Sequence, residues 1–315
     1  MKESDVIQIV ACLDQYFVAP TGVMLYSACV NNPDVIIDFH LIVDESVTGQ
    51  DKNDLDDMVS TFQGKKVFFH MVNSQMIGRF PLKFSKRLPK AIYYRLFLTE
   101  ILPLNMDKVL YLDGDCIVRH SLLPLWNITL DDYAVGAATD WAEGDIDIYN
   151  RLRYSYEIGH FNTGVLLINL DYWRKHHLSK EYADYLNNYP ERIKFADQDV
   201  MNAVLQRKRY AIPIKYNFQT GFLRKVALWD YWRYEKEVEE GKKDPVIVHF
   251  TETFKPWHTY SPYRHPFRST FVKYQSQTKW KNYKIDRCSL KTKMIHFILN
   301  CVRKREVFID IKPID

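Results

Sequence analysis

The stretch KVLYLDGDCIV, residues 108–118, runs from a mostly apolar segment into two aspartates one residue apart. The segment Lys108–Leu112 predicts a buried strand, so Asp113 and Asp115 come at its carboxyl end. Two carboxylates this close repel each other unless a cation lies between them. Mg²⁺ and Mn²⁺ favour carboxylate oxygens and often share them with a diphosphate. The pair therefore indicates a metal site, with a helix cap or a solvated turn as the alternative.

Strands and helices alternate on both sides of this stretch. The predicted strands are Val6–Leu13, Val35–Val43, Lys66–Val72, Lys108–Leu112, Tyr133–Ala138 and Gly164–Leu170, and the predicted helices are Ala19–Val30, Asp51–Phe62, Leu88–Ile101 and Ser179–Asn188. This alternation predicts an open, mostly parallel α/β sheet covered by helices, with ligands at the carboxyl ends of the strands. The sequence has no Walker A loop and no G-x-G-x-x-G, which argues against nucleotide binding by a glycine cradle.

The composition is that of a folded protein with a large core. Of the 315 residues, 47% are hydrophobic, and there are only 11 Gly and 13 Pro, which excludes a disordered or collagen-like chain. No apolar run approaches the roughly 18 to 20 residues of a membrane-spanning helix, and the first residues lack a signal-peptide layout. The five scattered cysteines contain no C-x-x-C, so they indicate neither a disulfide framework nor a zinc knuckle. We expect a cytosolic protein.

A second chemical motif is the stretch VIVHFTETFKPWH, residues 246–258. A short apolar strand delivers His249 at its end, and Lys255 follows six residues later, before Pro-Trp. A neutral imidazole is a common transition-metal ligand and would favour Mn²⁺ over Mg²⁺. A lysine ammonium can neutralise a leaving phosphate. The alternative for His249 is a packed core histidine.

A third motif combines HFNTGVLLINL, residues 160–170, with FADQDVMN, residues 195–202. Asn162 lies at the entrance to a buried strand, and Asp197, Gln198 and Asp199 open an apolar helix. Acidic residues in a first helical turn complement the helix dipole, which is the structural interpretation. The functional interpretation is that these side chains hydrogen-bond sugar hydroxyls or face an anomeric carbon.

Together, and in this order, these motifs resemble glycosyltransferase family 8, which contains bacterial lipooligosaccharide galactosyltransferases and glycogenin. The resemblance spans Val6 to Trp257, with a weaker match over Arg264–Trp280. It implies a nucleotide-sugar-binding fold of the GT-A type with one mixed sheet. It also implies a UDP-hexose donor (galactose or glucose), Mn²⁺ with Mg²⁺ as the alternative cofactor, and retained anomeric configuration. The acceptor would be a glycan or lipid-linked saccharide in lipopolysaccharide or surface polysaccharide synthesis.

The resemblance also assigns roles to individual residues. By motif, the metal would be held by Asp113, Asp115 and His249, and Lys255 would contact the diphosphate and act in catalysis. The uridine would be contacted by Asp14 and Phe17, and Arg95 would reach the donor. The transferred sugar would be held by Asn162, Asp197 and Gln198, and the residues nearest the position of a nucleophile would be Gln198 and Asp199. Because an amide is a poor nucleophile, same-face attack is the favoured route. The sequence departs from the family pattern at Tyr16, where Asn is usual, and at Glu252, where Gly is common.

Two other functions stay open at this point. A nucleotidyltransferase also uses paired carboxylates and Mg²⁺, but it needs a glycine- and lysine-rich loop near the first strand, and Val10–Tyr16 is not such a loop. A non-catalytic sugar-nucleotide-binding protein is the other alternative, with Glu252 as the residue that disables catalysis by repelling the diphosphate.

Charge is distributed unevenly along the chain. Residues 264–315 contain 13 Lys and Arg against 4 Asp and Glu, which is +9 in a chain of +4 and leaves −5 for the 263 residues before them. We expect a catalytic domain over 1–258 and a basic, aromatic extension over 259–315. In that extension, an apolar run between Lys291 or Lys293 and Arg303–Arg305 predicts peripheral attachment to an anionic membrane, on the inner face of the cell membrane. A solvated tail and a packed C-terminal helix are the alternatives. No nucleic-acid partner is expected.

Overall fold

The computed structural model describes residues 6–72, 91–225, 232–262, 265–286, 289–303 and 308–309. The strands are β1 Val6–Leu13, β2 Ile36–Val43, β3 Lys65–Met71, β4 Lys108–Leu112, β5 Cys116–Val118, β6 Val135–Thr139, β7 Phe161–Asn169, β8 Arg209–Ala211, β9 Phe218–Gln219 and β10 Ile247–His249. The α-helices are α1 Val18–Val30, α2 Gly49–Ser60, α3 Ala91–Tyr94, α4 Leu98–Ile101, α5 Leu123–Trp126, α6 Ile146–Leu152, α7 Leu170–Lys175, α8 Leu178–Asn188, α9 Ala196–Leu205, α10 Glu235–Lys243, α11 Arg268–Ser276 and α12 Leu290–Arg303. The start of the predicted helix Leu88–Ile101, Arg264, and the basic residues Lys304 and Arg305 lie outside the described residues.

Seven strands form the main sheet, in the order β3-β2-β1-β4-β7-β6-β8. Strands β1 and β2 pair in parallel from Val6↔Ile36 to Leu13↔Val43. Within this sheet, β7 alone runs antiparallel to both of its neighbours. The arrangement confirms the predicted mixed, mostly parallel sheet. Since β7 is reversed, it begins at the edge where β1 and β4 end.

A second sheet of three short strands, in the order β5-β10-β9, corrects the expectation of one mixed sheet. Strand β10 pairs antiparallel with β5 and in parallel with β9. In this register His249 lies opposite Cys116, the residue after Asp115. The small sheet therefore carries the predicted histidine to the end of the predicted aspartate loop.

Apolar residues cover both faces of the main sheet. Along β1, Ile7, Ile9 and Ala11 belong to one buried cluster and Val10 belongs to another, and all four side chains are fully buried. Alternate residues of a strand point to opposite faces, so this pattern requires helices on each side. The near-continuous apolar run of β1 follows from that double coverage.

The first part of the predicted extension packs against the rest of the fold. Phe267 and Phe271 are fully buried, in one cluster with Phe250 and Trp257. A Cβ added at Gly22 would lie 2.1 Å from a ring atom of Trp280, so that indole rests directly on α1. The expected boundary at residue 258 therefore falls inside a packed region, because the aromatic side chains that follow it complete the core.

Helix α12 differs from the segment before it. Leu290, Met294, Phe297 and Ile298 follow the spacing of one helix face, and each is more than half exposed. Across the described ranges, no helix combines the length and the apolarity that crossing a bilayer requires.

Candidate active site

A cleft of about 410 Å³ opens where the strand ends meet. It lies at the carboxyl ends of β1, β4 and β10 and at the beginning of β7. Ten of the predicted site residues line it together: Asp14, Phe17, Arg95, Asp113, Asp115, Asn162, Asp197, Gln198, His249 and Lys255. The cleft thus lies at the strand ends, where the sequence predicts that ligands bind.

Asp199 is the predicted site residue that the structure does not bring to the cleft. Its side chain is fully buried, and its carboxylate accepts hydrogen bonds from Arg151 Nη1 at 2.6 Å and Arg151 Nη2 at 3.0 Å. The backbone N–H groups of Lys194 and Phe195 also donate to it, each at 2.6 Å. Residues two apart on a helix do not share a face, so Asp197 reaches the cleft and Asp199 anchors the start of α9.

Each carboxylate of the Asp113/Asp115 pair uses one oxygen for a basic side chain. Arg95 Nη2 donates to Asp113 Oδ1 at 2.7 Å, and Lys255 Nζ donates to Asp115 Oδ2 at 2.7 Å. The other two oxygens face His249, because Nε2 lies 3.6 Å from Asp113 Oδ2 and 3.3 Å from Asp115 Oδ1. One oxygen of each carboxylate thus lies within 3.6 Å of the same ring nitrogen.

The tautomer of His249 follows from its neighbours. The backbone N–H of Gly164 donates to Asn162 Oδ1 at 2.9 Å, and Asn217 Nδ2 donates to the same oxygen at 2.8 Å. The remaining Asn217 oxygen therefore faces His249 Nδ1, at 3.0 Å, and accepts a hydrogen bond from it. Neutral His249 then carries its proton on Nδ1 and turns an unprotonated Nε2 toward the aspartates.

This donor set fits a divalent cation. Oxygen and imidazole ligands suit Mn²⁺ and related ions, and three electron-rich atoms facing one another need positive charge between them. Burial alone would raise the pKa of Asp115, but the Lys255 ammonium holds it well below its usual range, so this carboxylate is ionised. Cys116 also lies within ligand distance. Burial raises the pKa of its thiol well above the ordinary value, which favours the protonated form in the absence of a metal.

Asp197 and Arg95 form the adjoining wall. Thr163 Oγ1 donates to Asp197 Oδ2 at 2.8 Å, and Arg95 Nε lies 3.4 Å from the same oxygen. Arg95 Nη1 also donates to the carbonyl oxygen of Thr163 at 2.9 Å. Burial raises the pKa of Asp197 to about 6, although Arg95 opposes the shift. The wall is therefore rigid, and it offers a carboxylate at neutral pH.

The two residues that depart from the family pattern, Glu252 and Tyr16, lie in different surroundings. Glu252 forms an ion pair with Arg224, whose Nε donates to Glu252 Oε1 at 3.1 Å. That pairing neutralises the carboxylate that was expected to repel a diphosphate. Tyr16 is 55% exposed and does not line the cleft, whereas Phe17 lines it and packs edge-on against Trp257.

The sequence interpretation missed two buried polar residues, Asn217 and Asp140. Asp140 Oδ2 accepts hydrogen bonds from Asn162 Nδ2 at 3.0 Å and Gln198 Nε2 at 3.2 Å, so it orients both amides. One signal was available for Asn217, since polar and aromatic residues alternate in Tyr216-Asn-Phe-Gln219. Asp140 follows a strand end, as Asp113 does, but nothing nearby in the sequence marks it.

Comparisons with known proteins agree with the fold. The sequence model of glycosyl transferase family 8 matches residues 8–261. General stress protein A of Bacillus subtilis is 25% identical over 283 residues, which is 89% of this chain and 96% of that protein. Lipopolysaccharide glucosyltransferase WaaO of Escherichia coli is 27% identical over 277 residues, 85% of this chain and 77% of that protein.

A solved structure matches as well. The galactosyltransferase LgtC, crystallised with donor and acceptor sugar analogs, aligns with a TM-score of 0.74 at 26% identity and covers 87% of this chain and 96% of its own. The mixed sheet flanked by helices is thus the GT-A type of fold. With the family match over most of its length, the chain belongs to glycosyltransferase family 8.

Proposed function

We propose that the protein is a metal-dependent, retaining glycosyltransferase that moves a hexose from a UDP-sugar to a glycan. One observation carries the proposal: two carboxylate oxygens and the unprotonated Nε2 of His249 converge in a cleft that also contains Asn162, Asp197 and Gln198. The relatives support the chemistry, since WaaO is a glucosyltransferase and LgtC is a galactosyltransferase. Either UDP-glucose or UDP-galactose is therefore the proposed donor.

The metal would be held by Asp113, Asp115 and His249, with Mn²⁺ as the expected ion and Mg²⁺ as the alternative. When bound, a divalent cation supplies positive charge to the diphosphate as the bond to the sugar breaks. Lys255 adds to this charge, because its ammonium lies 2.7 Å from Asp115 and lines the same cleft. A fixed ammonium here can donate to a leaving phosphate oxygen. The bound metal and Lys255 would therefore both assist the departure of UDP.

The sugar would lie against the adjoining wall that contains Asp197. Asp197, ionised above about pH 6, and the amides of Asn162 and Gln198 offer acceptors and donors for hydroxyl groups. Asp14 and Phe17 line the part of the cleft proposed for uridine. Asp199 is left out of this catalytic set, since its oxygens are bonded to Arg151 and the backbone. Gln198 is then the residue of the predicted pair that can face the anomeric carbon.

The first test removes one metal ligand. Asp115→Asn should lower the turnover of UDP-hexose by at least about 100-fold, since even outer partners of metal ligands are worth 10- to 100-fold. The measurement is UDP release with Mn²⁺ and without an acceptor, for both UDP-galactose and UDP-glucose. Asp147→Asn is the matched control, because Asp147 belongs to another D-x-D pair and is exposed on α6. Near-normal turnover by Asp115→Asn in chelator-treated buffer would show that the metal assignment is wrong.

The second test concerns stereochemistry. Same-face attack keeps the configuration of an α-linked donor, so the first sugar released from UDP-hexose should be the α-anomer. Proton NMR during the first minutes, before mutarotation, distinguishes the two anomers. A β-anomer appearing first would refute retention while leaving the metal assignment intact.

The extension supports a proposal about location. The exposed apolar face of α12 carries Leu290, Met294, Phe297 and Ile298, and Lys291 and Lys293 lie on the same helix. A helix of this kind binds in the interface of an anionic bilayer. We therefore place the enzyme peripherally on the inner face of the membrane, where a lipid-linked acceptor for lipopolysaccharide or surface polysaccharide synthesis would be met. In this proposal the catalytic unit includes the packed residues 265–285.

A further inference from the structure

A line of buried side chains leads from Gln198 in the cleft to a tyrosine outside it. Gln198 Nε2 lies 3.1 Å from His160 Nε2, and Tyr154 Oη lies 2.7 Å from His160 Nδ1. His160 is fully buried and Tyr154 is 8% exposed. Neither residue lines the cleft. His160 therefore contacts Gln198, which lines the cleft, while His160 and Tyr154 do not line the cleft themselves.

The orientation of the Gln198 amide is fixed by its other neighbours. Asp140 Oδ2 accepts and does not donate while it is ionised, so the Gln198 atom 3.2 Å from it is Nε2. Asn162 Nδ2 donates to Gln198 Oε1 at 3.1 Å, and Asn162 is itself fixed by the backbone N–H of Gly164. The amide hydrogens of Gln198 therefore point to Asp140 and His160, and its carbonyl oxygen points to Asn162.

The tautomer of His160 follows in turn. Because an amide NH₂ group only donates, His160 Nε2 must accept from Gln198. The ring proton is then on Nδ1 and is donated to Tyr154 Oη. Burial lowers the pKa of His160, so the ring is neutral as this pattern requires. The charged groups around it act in both directions: Asp140 and Asp199 favour the protonated ring, and Arg151 and Arg209 oppose it.

We infer that His160 and Tyr154 are positioning residues that hold the Gln198 amide with its carbonyl oxygen toward Asn162 and the transferred sugar. The inference rests on the proposed function, in which Gln198 faces the reacting carbon. With the proton on Nε2, the ring would oppose the Gln198 NH₂ group donor to donor. The amide would then have to turn, which would set its carbonyl oxygen against the Asp140 carboxylate. The Nδ1–H tautomer prevents both conflicts.

Kinetics test the inference through two variants at the same position. His160→Phe removes the acceptor, and we expect kcat for UDP-hexose to fall roughly three- to tenfold, the effect of one buried hydrogen bond, with little change in KM. His160→Gln offers a carbonyl oxygen to Gln198 and should recover most of kcat. His265→Phe is the control, since His265 is also buried but lies outside the cleft. Wild-type kcat in His160→Phe, an equal loss in His265→Phe, or no recovery in His160→Gln would overturn the inference.

The tautomer can be read without any activity. Nitrogen-15 NMR of the histidine rings should show His160 as the Nδ1–H form, assigned by the signal that is missing in His160→Gln. Tyr154→Phe removes the acceptor for that proton and should raise the population of the Nε2–H form, together with a fall in kcat. An Nε2–H ring in the wild type would refute the inference even if His160→Phe failed to fold. If the wild type turned over no UDP-hexose, the proposed function would fail, and the ring signals would still decide the positioning role.

Discussion

At the scale of single residues, the cleft is organised by charges that are only partly compensated. Four aspartates line the cleft, Asp14, Asp113, Asp115 and Asp197, against three basic side chains, Arg95, Lys194 and Lys255. The site therefore has an excess of negative charge before any ligand enters. A divalent cation would reverse that balance and make the same cleft attractive to a diphosphate. In the proposed function, the carboxylates would thus act on the donor through a bound cation.

A residue outside the cleft allows a prediction about pH. His40 is 6% exposed, and its ring nitrogens lie 2.9 Å from His70 Nε2 and 2.7 Å from Gln8 Oε1. Burial lowers the pKa of His40 to about 4, and burial also lowers that of His70. Between the ordinary pKa of about 6.5 and pH 4, the unfolded chain binds a proton at His40 that the folded chain does not. The free energy of unfolding should therefore decrease as the pH falls through this window.

The expected contribution of His40 is up to about 3 kcal/mol at pH 4. His40→Gln should flatten the dependence of the urea midpoint on pH between 7.5 and 4.5. His176→Gln, at an exposed histidine, should leave that dependence unchanged. Parallel curves for wild type and His40→Gln would show that the buried ring is not responsible.

At the scale of elements, the sequence predicted the long strands and the short strand that ends at His249, but it missed β5, β8 and β9. The prediction for β1, Val6–Leu13, has the observed bounds, because eight consecutive residues provide enough periodicity for a strand. Strands β5 and β9 have three and two residues, and they exist through partners that are distant in the sequence. Separation in the sequence also explains which site residues were predicted and which were missed. Asp113 and Asp115 follow a recognisable strand, whereas Asn217 is brought to His249 by the packing of β9 on β10.

The contact between β7 and β10 supports a prediction for Gly164. A Cβ at this position would lie 2.0 Å from His249 Cε1 and 2.8 Å from Asp113 Oδ2. The ring has no room to move, since His249 is buried and bonded to Asn217. Gly164→Ala should therefore displace His249 and weaken Mn²⁺ binding by at least about tenfold, a cost in the range of overpacking a core.

Isothermal titration of the folded variant with Mn²⁺ measures the effect of Gly164→Ala. Gly49→Ala is the control, since nothing lies within 4 Å of a Cβ added there. Unchanged Mn²⁺ affinity in Gly164→Ala would mean that His249 is not a ligand in solution.

At the scale of the whole molecule, the point where the chain becomes basic does not coincide with a boundary in the packing. The basic composition starts near residue 264, but Phe267, Phe271 and Trp280 pack into the body. Phe308 returns after α12 and pairs with Arg224, next to Glu252. The described segments before and after α12 are therefore both tied to the rest of the fold, through the pairing of Ile285 with His258 and of Phe308 with Arg224.

The last prediction concerns that helix and an anionic bilayer. Phe297 is 67% exposed on the apolar face of α12, and burying such a side chain contributes about 1.5 to 3 kcal/mol. Basic residues such as Lys291 add roughly 1 kcal/mol each near an anionic leaflet. Phe297→Glu should lower sedimentation with anionic vesicles by about tenfold or more. Leu104→Glu makes the same change at a site 80% exposed and far from α12 in sequence, so it should bind like the wild type. Because salt screens the charges, wild-type binding should also fall as NaCl rises, and equal sedimentation of all three proteins would refute membrane docking through α12.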